Sequence, residues 1–172
     1  DKIDLIKDKG LQKQFYADNN IPTAPFSLIS NQSEIVINAD FLPFAQKMRT
    51  GGYDGKGVKI IKDADAFTTG FDVPSVLEQF VPFQKELAVM VSRNERGELA
   101  VFPSVECEFN AEANLVEFLF SPAAISTEIE QKAEEIAKDI IVKLDMVGVL
   151  AVEFFLTQDY QLLVNEVAPR PH

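Results

Sequence analysis

Two stretches of this sequence have residue types and spacings that could do chemistry together. The first is Lys47-Met48-Arg49-Thr50-Gly51-Gly52-Tyr53-Asp54-Gly55-Lys56-Gly57, where four of the chain's eight glycines fall within seven residues. Glycine lets a backbone come close to a ligand, and successive free N–H groups in such a loop form a concave anion site. The apolar runs Phe41 to Ala45 and Val58 to Ile61 flank it, so the reading is strand, glycine loop, strand. An ordinary hairpin tip would share the glycines. Lys47, Arg49 and Lys56, in a chain of net charge −11, favour a loop that folds over a phosphate.

The second stretch is a pair of acids inside apolar runs, Glu153 in Val149 to Leu156 and Glu166 in Leu162 to Val167. With a turn centred on Asp159-Tyr160, Gln158 pairs with Gln161 and Glu153 lies directly opposite Glu166. Like charges so placed are destabilising, and carboxylates within a sheet need compensation. A cation between them would relieve both costs, and Asn165 adds a neutral oxygen. Mg²⁺ takes one or two carboxylates, keeps water and reaches substrate phosphates. The competing arrangement is a solvated face on which the acids pair with lysines. A one-residue slip in register would also send the two glutamates to opposite faces.

Bulk properties narrow the remaining classes. An acidic surface repels nucleic acid and anionic lipid. No apolar run reaches the roughly 20 residues of a membrane span, and Asp1-Lys2-Ile3-Asp4 has no signal-peptide core. Cys107 is the single cysteine, so no disulfide forms within the chain and a reducing cytoplasm fits. With one cysteine and one histidine, His172, a zinc cluster cannot be assembled. A hydrophobic content of 47%, including 14 phenylalanines, is ample for a core.

The elements that must position these residues follow from periodicity. Asp8 caps a helix to Asp18 with Leu11 and Phe15 on one face, ended by Asn19-Asn20 and Pro22. Residues 31–42 read as a short helix, and 63–73 as a polar connector. Val76 to Val81 is a strand that leaves into a linker at Pro82. Glu86 to Arg93, Leu99 to Pro103 and Leu115 to Phe120 are strands, the first two joined by a turn at Asn94 to Gly97. A helix begins at a capping box of Thr127 and Glu130 and carries the stripe Ile129, Ala133, Ile136, Ile140 and Leu144. Hairpins dominate, so the class is α+β with mainly antiparallel sheets.

Read together, Lys47-x-Arg-Thr-Gly-Gly-Tyr-Asp-Gly-Lys-Gly, Glu78-Gln-Phe-Val, Gly148-Val-Leu-Ala-Val-Glu153 and Asn165-Glu-Val-Ala-Pro-Arg-Pro-His172 resemble the ATP-grasp family. They are most similar to its carboxylating branch, which uses ATP and bicarbonate to carboxylate the amine of 5-aminoimidazole ribonucleotide, through carboxyphosphate, in purine biosynthesis. The resemblance implies two lobes gripping a nucleotide: a helical lead-in at 1–22, a small lobe at 23–81 with the loop 50–57 as lid, and a larger lobe at 82–172. Lys9 and Lys47 would contact ATP phosphates, under Gly52, Tyr53, Asp54, Gly55, Lys56 and Gly57. Glu78, Gln79, Phe80 and Val81 would hold the adenine, and Glu86 the ribose. Glu153 and Glu166 would bind Mg²⁺, for which Mn²⁺ could stand in, with Asn165 beside them. Tyr53, Asp54, Arg170 and His172 would face the ribonucleotide.

Relatives of that branch usually carry flanking domains on both sides, and a homodimer is compatible with them. The chain is therefore expected to be a core that binds nucleotide weakly and does not turn over alone. Glu106-Cys107-Glu108-Phe109 stands where the branch often has Glu-Asn-x-His. A formate-using or biotin-carboxylating relative, or a non-catalytic nucleotide-binding module, would share the ATP residues.

Overall fold

The computed structural model describes residues 2–52, 57–110 and 115–171. Two short helices lead in, α1 (Lys2–Lys7) and α2 (Lys9–Asp18). Asp8 caps α2 as its sequence suggests, accepting from the backbone N–H groups of Gly10 and Leu11. The expected face is met only in part: Phe15 packs against the core, but Leu11 does not. Leu11 is 43% exposed, while Gln12, Lys13 and Tyr16 are buried. A polar stripe faces inward because α2 lies across the seam between two sheets, where its side chains find polar partners.

The first sheet has four antiparallel strands in the order β1-β4-β2-β3: β1 (Phe26–Ile29), β2 (Phe44–Met48), β3 (Val58–Ile61) and β4 (Ser75–Gln79). The first strand of the glycine hairpin thus begins at Phe44 rather than Phe41. Residues Gln32–Phe41 form 3₁₀ turns capped by Asn31, and Ala64–Thr69 form another capped by Asp63. Both cover one face of the sheet, burying Ile29, Ile35, Phe44, Ile61 and Leu77. Registry puts Ala45, Lys47, Val76 and Glu78 together on the opposite face.

The second sheet has six antiparallel strands, in the order β10-β9-β5-β7-β8 with β6 also on β5. They are β5 (Phe83–Arg93), β6 (Leu99–Val101), β7 (Val105–Asn110), β8 (Leu115–Phe120), β9 (Gly148–Thr157) and β10 (Leu162–Ala168). Strand β7 was not foreseen, because Glu106 and Glu108 break its apolar run. Helix α3 (Thr127–Lys143) covers one face, with Ile129, Ala133, Ala137, Ile140 and Ile141 buried. Its cap is Ser126 rather than Thr127, and Glu130 accepts from Ser104 N at 2.8 Å instead of closing a capping box. Leu87, Val89, Val91, Leu150, Val152, Phe154 and Val164 supply the sheet's side of this core, joined by Ile6 and Tyr16 from the lead-in helices. Among the described residues no helix is long and apolar enough to cross a membrane.

Candidate nucleotide and metal site

The face of the second sheet turned away from α3 is set by period-two alternation. Glu153 pairs with Ala88, and Phe155 pairs with Glu86, which pairs in turn with Cys107. All five therefore share that face. The hairpin between β9 and β10 corrects the expected turn: Thr157 N donates to Gln161 O at 2.9 Å, so Thr157, not Gln158, faces Gln161. Tyr160 takes a φ of +62° to close this three-residue loop. Leu162, Leu163 and Val164 then pair with Leu156, Phe155 and Phe154, one step off the expected register. A β-bulge between Val164 and Val167 restores the step, and beyond it Val167 pairs with Val152. Asn165 and Glu166 are the two extra-paired residues, and both oppose Glu153. Burial follows: Val164 and Val167 are buried, whereas Asn165 and Glu166 are both half-exposed. The bulge thus turns two sequence neighbours toward the same side as Glu153.

Lysines from the rest of the chain converge there. Lys9, at the start of α2, forms an ion pair with Glu166 at 2.5 Å. Lys47 of β2 donates to Asn165 Oδ1 at 2.6 Å and to Glu78 Oε1 at 3.0 Å. Its ammonium also stands 5.7 Å from the ring centre of Phe155, which stacks on Phe83 at 4.7 Å. Lys13 meets the other oxygen of Glu78 at 2.5 Å. Glu78 is 2% exposed and Lys13 3% exposed, so this is an internal cluster of two cations and one anion.

The titration behaviour follows from that count. Burial, aided by repulsion from Lys47, pulls Lys13 down to about 8, against the attraction of Glu78. Burial alone would raise Glu78, but Lys47 and Lys13 outweigh it and hold its carboxyl below the ordinary value. Tyr16 is raised well above its usual value, by burial first and then by Glu166, Glu153 and Glu78. Its phenol therefore acts as a neutral group bonded to Gln12 Oε1 at 2.8 Å. The Cys107 thiol is pushed up to about 12 by burial and by Glu153, Glu86 and Glu106, which makes it inert as a nucleophile at neutral pH.

The base of the glycine loop is pinned to α2. Arg49 holds Asp8 with two bonds, Nε to Oδ1 at 2.8 Å and Nη2 to Oδ2 at 2.7 Å, and Lys9 N donates to Arg49 O at 2.9 Å. A Cβ at Gly57 would lie 2.5 Å from the Gly52 Cα, so glycine at both positions lets the loop's two sides touch. Tyr53, Asp54, Gly55, Lys56 and His172, all named from the sequence, lie outside the described residues. Arg170 is exposed, its guanidinium bonded to Pro171 O at 3.3 Å. Gln79 and Phe80 are exposed at the end of β4, Val81 is half-exposed, and Glu86 lies on the cleft face of β5.

Sequence reasoning missed Lys13, Phe155 and the Asp8–Arg49 clamp. The signals were present. Lys13 is four residues from Lys9 on a helix, hence on the same face, and Phe155 is two residues from Glu153 on a strand. Among the described residues no three His, Cys, Asp or Glu side chains converge as a metal cage. The bulge set still fits a cation that takes two carboxylates and completes its shell from a ligand. In this structure Glu166 is paired with the Lys9 ammonium, the competing arrangement for these acids.

Residues 14–172 match the ATP-grasp domain model, and the chain belongs to the ATP-grasp family, whose fold it adopts. Among individual proteins, it is 35% identical over 175 residues to the N5-carboxyaminoimidazole ribonucleotide synthase of Bacillus subtilis, covering 98% of this chain and 45% of that protein. The crystal structure of N5-carboxyaminoimidazole ribonucleotide synthetase from Thermotoga maritima is 38% identical, with a TM-score of 0.84, over 99% of this chain and 44% of that one. A structure of N5-carboxyaminoimidazole synthase from Aspergillus clavatus in complex with ADP and 5-aminoimidazole ribonucleotide is 28% identical, with a TM-score of 0.87, over 99% and 46%. The chain spans between about a third and a half of the length of the curated relatives it matches.

Proposed function

We propose that this chain is the nucleotide-binding core of an ATP-dependent ligase that carboxylates 5-aminoimidazole ribonucleotide with bicarbonate, in the cytoplasm. The observation that carries the reading is the bulge at Asn165-Glu166. It gathers Glu153, Asn165 and Glu166 on one face and meets Lys9 and Lys47 there. Residues 23–81 act as the lid lobe and 82–172 as the larger lobe. Lys9 and Lys47 take the ATP phosphates, with the loop from Gly52 through Tyr53, Asp54, Gly55 and Lys56 to Gly57 closing over them. The segment Glu78-Gln79-Phe80-Val81 borders the adenine, Phe155 and Phe83 give the base an apolar wall, and Glu86 meets the ribose. Tyr53, Asp54, Arg170 and His172 are assigned to the ribonucleotide.

Glu153 and Glu166 would hold Mg²⁺, with Asn165 beside them. When bound, the ion supplies charge neutralisation for the phosphates. The chain's own contribution is positioning. The γ-phosphoryl group passes to a bicarbonate oxygen, releasing ADP and forming carboxyphosphate. The amine nitrogen then bonds to the carboxyl carbon as phosphate leaves, and the proton that the nitrogen gives up goes to the departing phosphate. Two fixed ammonium groups stabilise the charge that moves in the first step, and a closed loop keeps water from the acyl phosphate.

Thermal denaturation with Mg²⁺ and ATP tests the site. At 100 times the dissociation constant the ligand should add about 2.7 kcal/mol. An undiminished shift after both Glu153→Gln and Glu166→Gln would overturn the metal assignment. The activity is tested on the full-length protein, whose ATP hydrolysis should need bicarbonate and aminoimidazole ribonucleotide together. If formate replaces bicarbonate, the substrate assignment fails.

A further inference from the structure

Lys13 has no place in the phosphate or metal roles above, yet it is almost fully buried and held by three partners. Its ammonium donates to Thr23 Oγ1, in the segment before β1, at 2.6 Å and to Val164 O on β10 at 3.4 Å, and it forms an ion pair with Glu78 Oε2 on β4 at 2.5 Å. Thr23 in turn donates its hydroxyl proton to the same Val164 carbonyl at 2.7 Å. Val164 is the last regular residue before the bulge. One buried side chain therefore ties α2 to the end of β4 in the four-stranded sheet and to the edge of the metal-site bulge in the six-stranded one.

The charge arithmetic gives that strut a purpose. Lys13 and Lys47 share a single carboxylate, each on its own oxygen, so two positive charges and one negative leave the cluster at +1. Lys47 is the member open to the cleft, its side chain 11% exposed against 3% for the other two. The surplus charge is thus expressed where Lys47 reaches Asn165. Without Lys13 the sum falls to zero, and the buried carboxylate would hold Lys47 as its only counter-ion.

We propose that Lys13 is a positioning residue that occupies one oxygen of Glu78, so that Lys47 keeps a net positive charge for the phosphates of a bound nucleotide. This rests on the nucleotide-site reading above and deepens it. Glu78 then works mainly as a shared counter-ion, and its carboxylate is turned inward rather than offered to the base. With its pKa near 8, Lys13 is still protonated at neutral pH and able to play this part.

The test is calorimetric titration of the chain with Mg²⁺ and ATP, repeated with tripolyphosphate as a probe that has no base. Lys13→Met should weaken both ligands on the order of tenfold, the scale expected when one partner of a desolvated charge cluster is removed. Adding Glu78→Gln to Lys13→Met should restore most of the loss for tripolyphosphate, which has no base to meet the adenine segment, because the unbalanced carboxylate is gone. A purely structural strut would not be repaired by a second substitution. Lys13→Met binding within about twofold of the wild type overturns the proposal, as does a double variant that binds tripolyphosphate no more tightly than the single one. If Lys13→Met does not fold, the double variant decides alone by its tripolyphosphate binding: affinity near wild type supports the proposal, and a tenfold loss overturns it. A wild-type chain that binds neither ligand overturns the nucleotide site itself, and this inference with it.

Discussion

Among the described residues, twenty buried apolar side chains form the core that closes the six-stranded sheet against α3, whereas five close the outer face of the four-stranded sheet. The smaller core is completed by a polar group. Gln46 is fully buried and donates to Phe71 O at 2.9 Å and Ser75 Oγ at 3.1 Å, while accepting from Phe71 N at 2.8 Å. The two sheets also carry different site groups. The carboxylates Glu153 and Glu166 sit on the well-packed sheet, and Lys47 sits on the lightly packed one. Apolar burial sets how readily a region opens, so the six-stranded sheet is a fixed platform and the four-stranded sheet the part that yields. Fixed geometry suits the side proposed to bind a metal, and a yielding partner suits the side proposed to admit and release a nucleotide.

This contrast can be broken experimentally. The largest effect should come from Phe154→Ala, which opens a cavity in the platform and should cost about 3–5 kcal/mol in chemical denaturation. Every probe of structure should lose stability together. A transition that leaves the six-stranded sheet as stable as before would sink the idea of a single platform core. Next is Gln46→Leu, which leaves the Phe71 N–H and carbonyl without their partner. It should cost about 1–3 kcal/mol. In hydrogen exchange the loss should appear in β2 and β4 and leave β5 and β9 protected; equal loss in both sheets would contradict the comparison. Asp8→Ala removes both a helix cap and the carboxylate that holds Arg49, and should cost about 1–2 kcal/mol. Exchange should quicken at the start of α2 and around Arg49, and unchanged protection at Arg49 would deny the clamp.

The gentlest test changes only pH. The Glu78 carboxyl is held below its unfolded value of 4.5, chiefly because Lys47 and Lys13 outweigh the effect of burial. Its contribution to stability is therefore fully present above pH 4.5 and is lost as pH falls through the lower, folded value. Stability measured against pH should show an acid limb that Glu78→Gln flattens. An identical limb in the variant would mean that other carboxylates carry it.

Most of the fold was legible because apolar periodicity was strong where burial was one-sided. The α3 stripe, β9, β10 and the glycine hairpin all follow from alternation or a helical repeat. Legibility failed where polar residues were buried. Helix α2 buries Gln12 and Lys13 rather than Leu11, since hydrogen bonds at a seam can replace apolar contact. Strand β7 carries two acids in a sheet and so does not look like a strand. The pairing of Glu153 with Glu166 was reached through an incorrect turn, because a three-residue loop and a bulge shift the register by one each and their effects cancel. Chain-local patterns do not reveal such offsets. The internal lysine cluster was illegible for another reason: which carboxylate neutralises which cation is decided by three elements far apart in sequence.

That bulge has a consequence for how the chain tolerates editing. In most strands, removing one residue reverses every side chain beyond the cut. Here the ladder already contains one surplus position. Deleting Asn165 would leave Val164 opposite Phe154, bring the glutamate alone opposite Glu153, and keep the downstream partners Val152 and Ala151 with the valine and alanine they have now. The expected product is a regular strand with its core intact and one acceptor fewer in front of Lys47. The surplus residue is thus a separable addition to an otherwise ordinary hairpin.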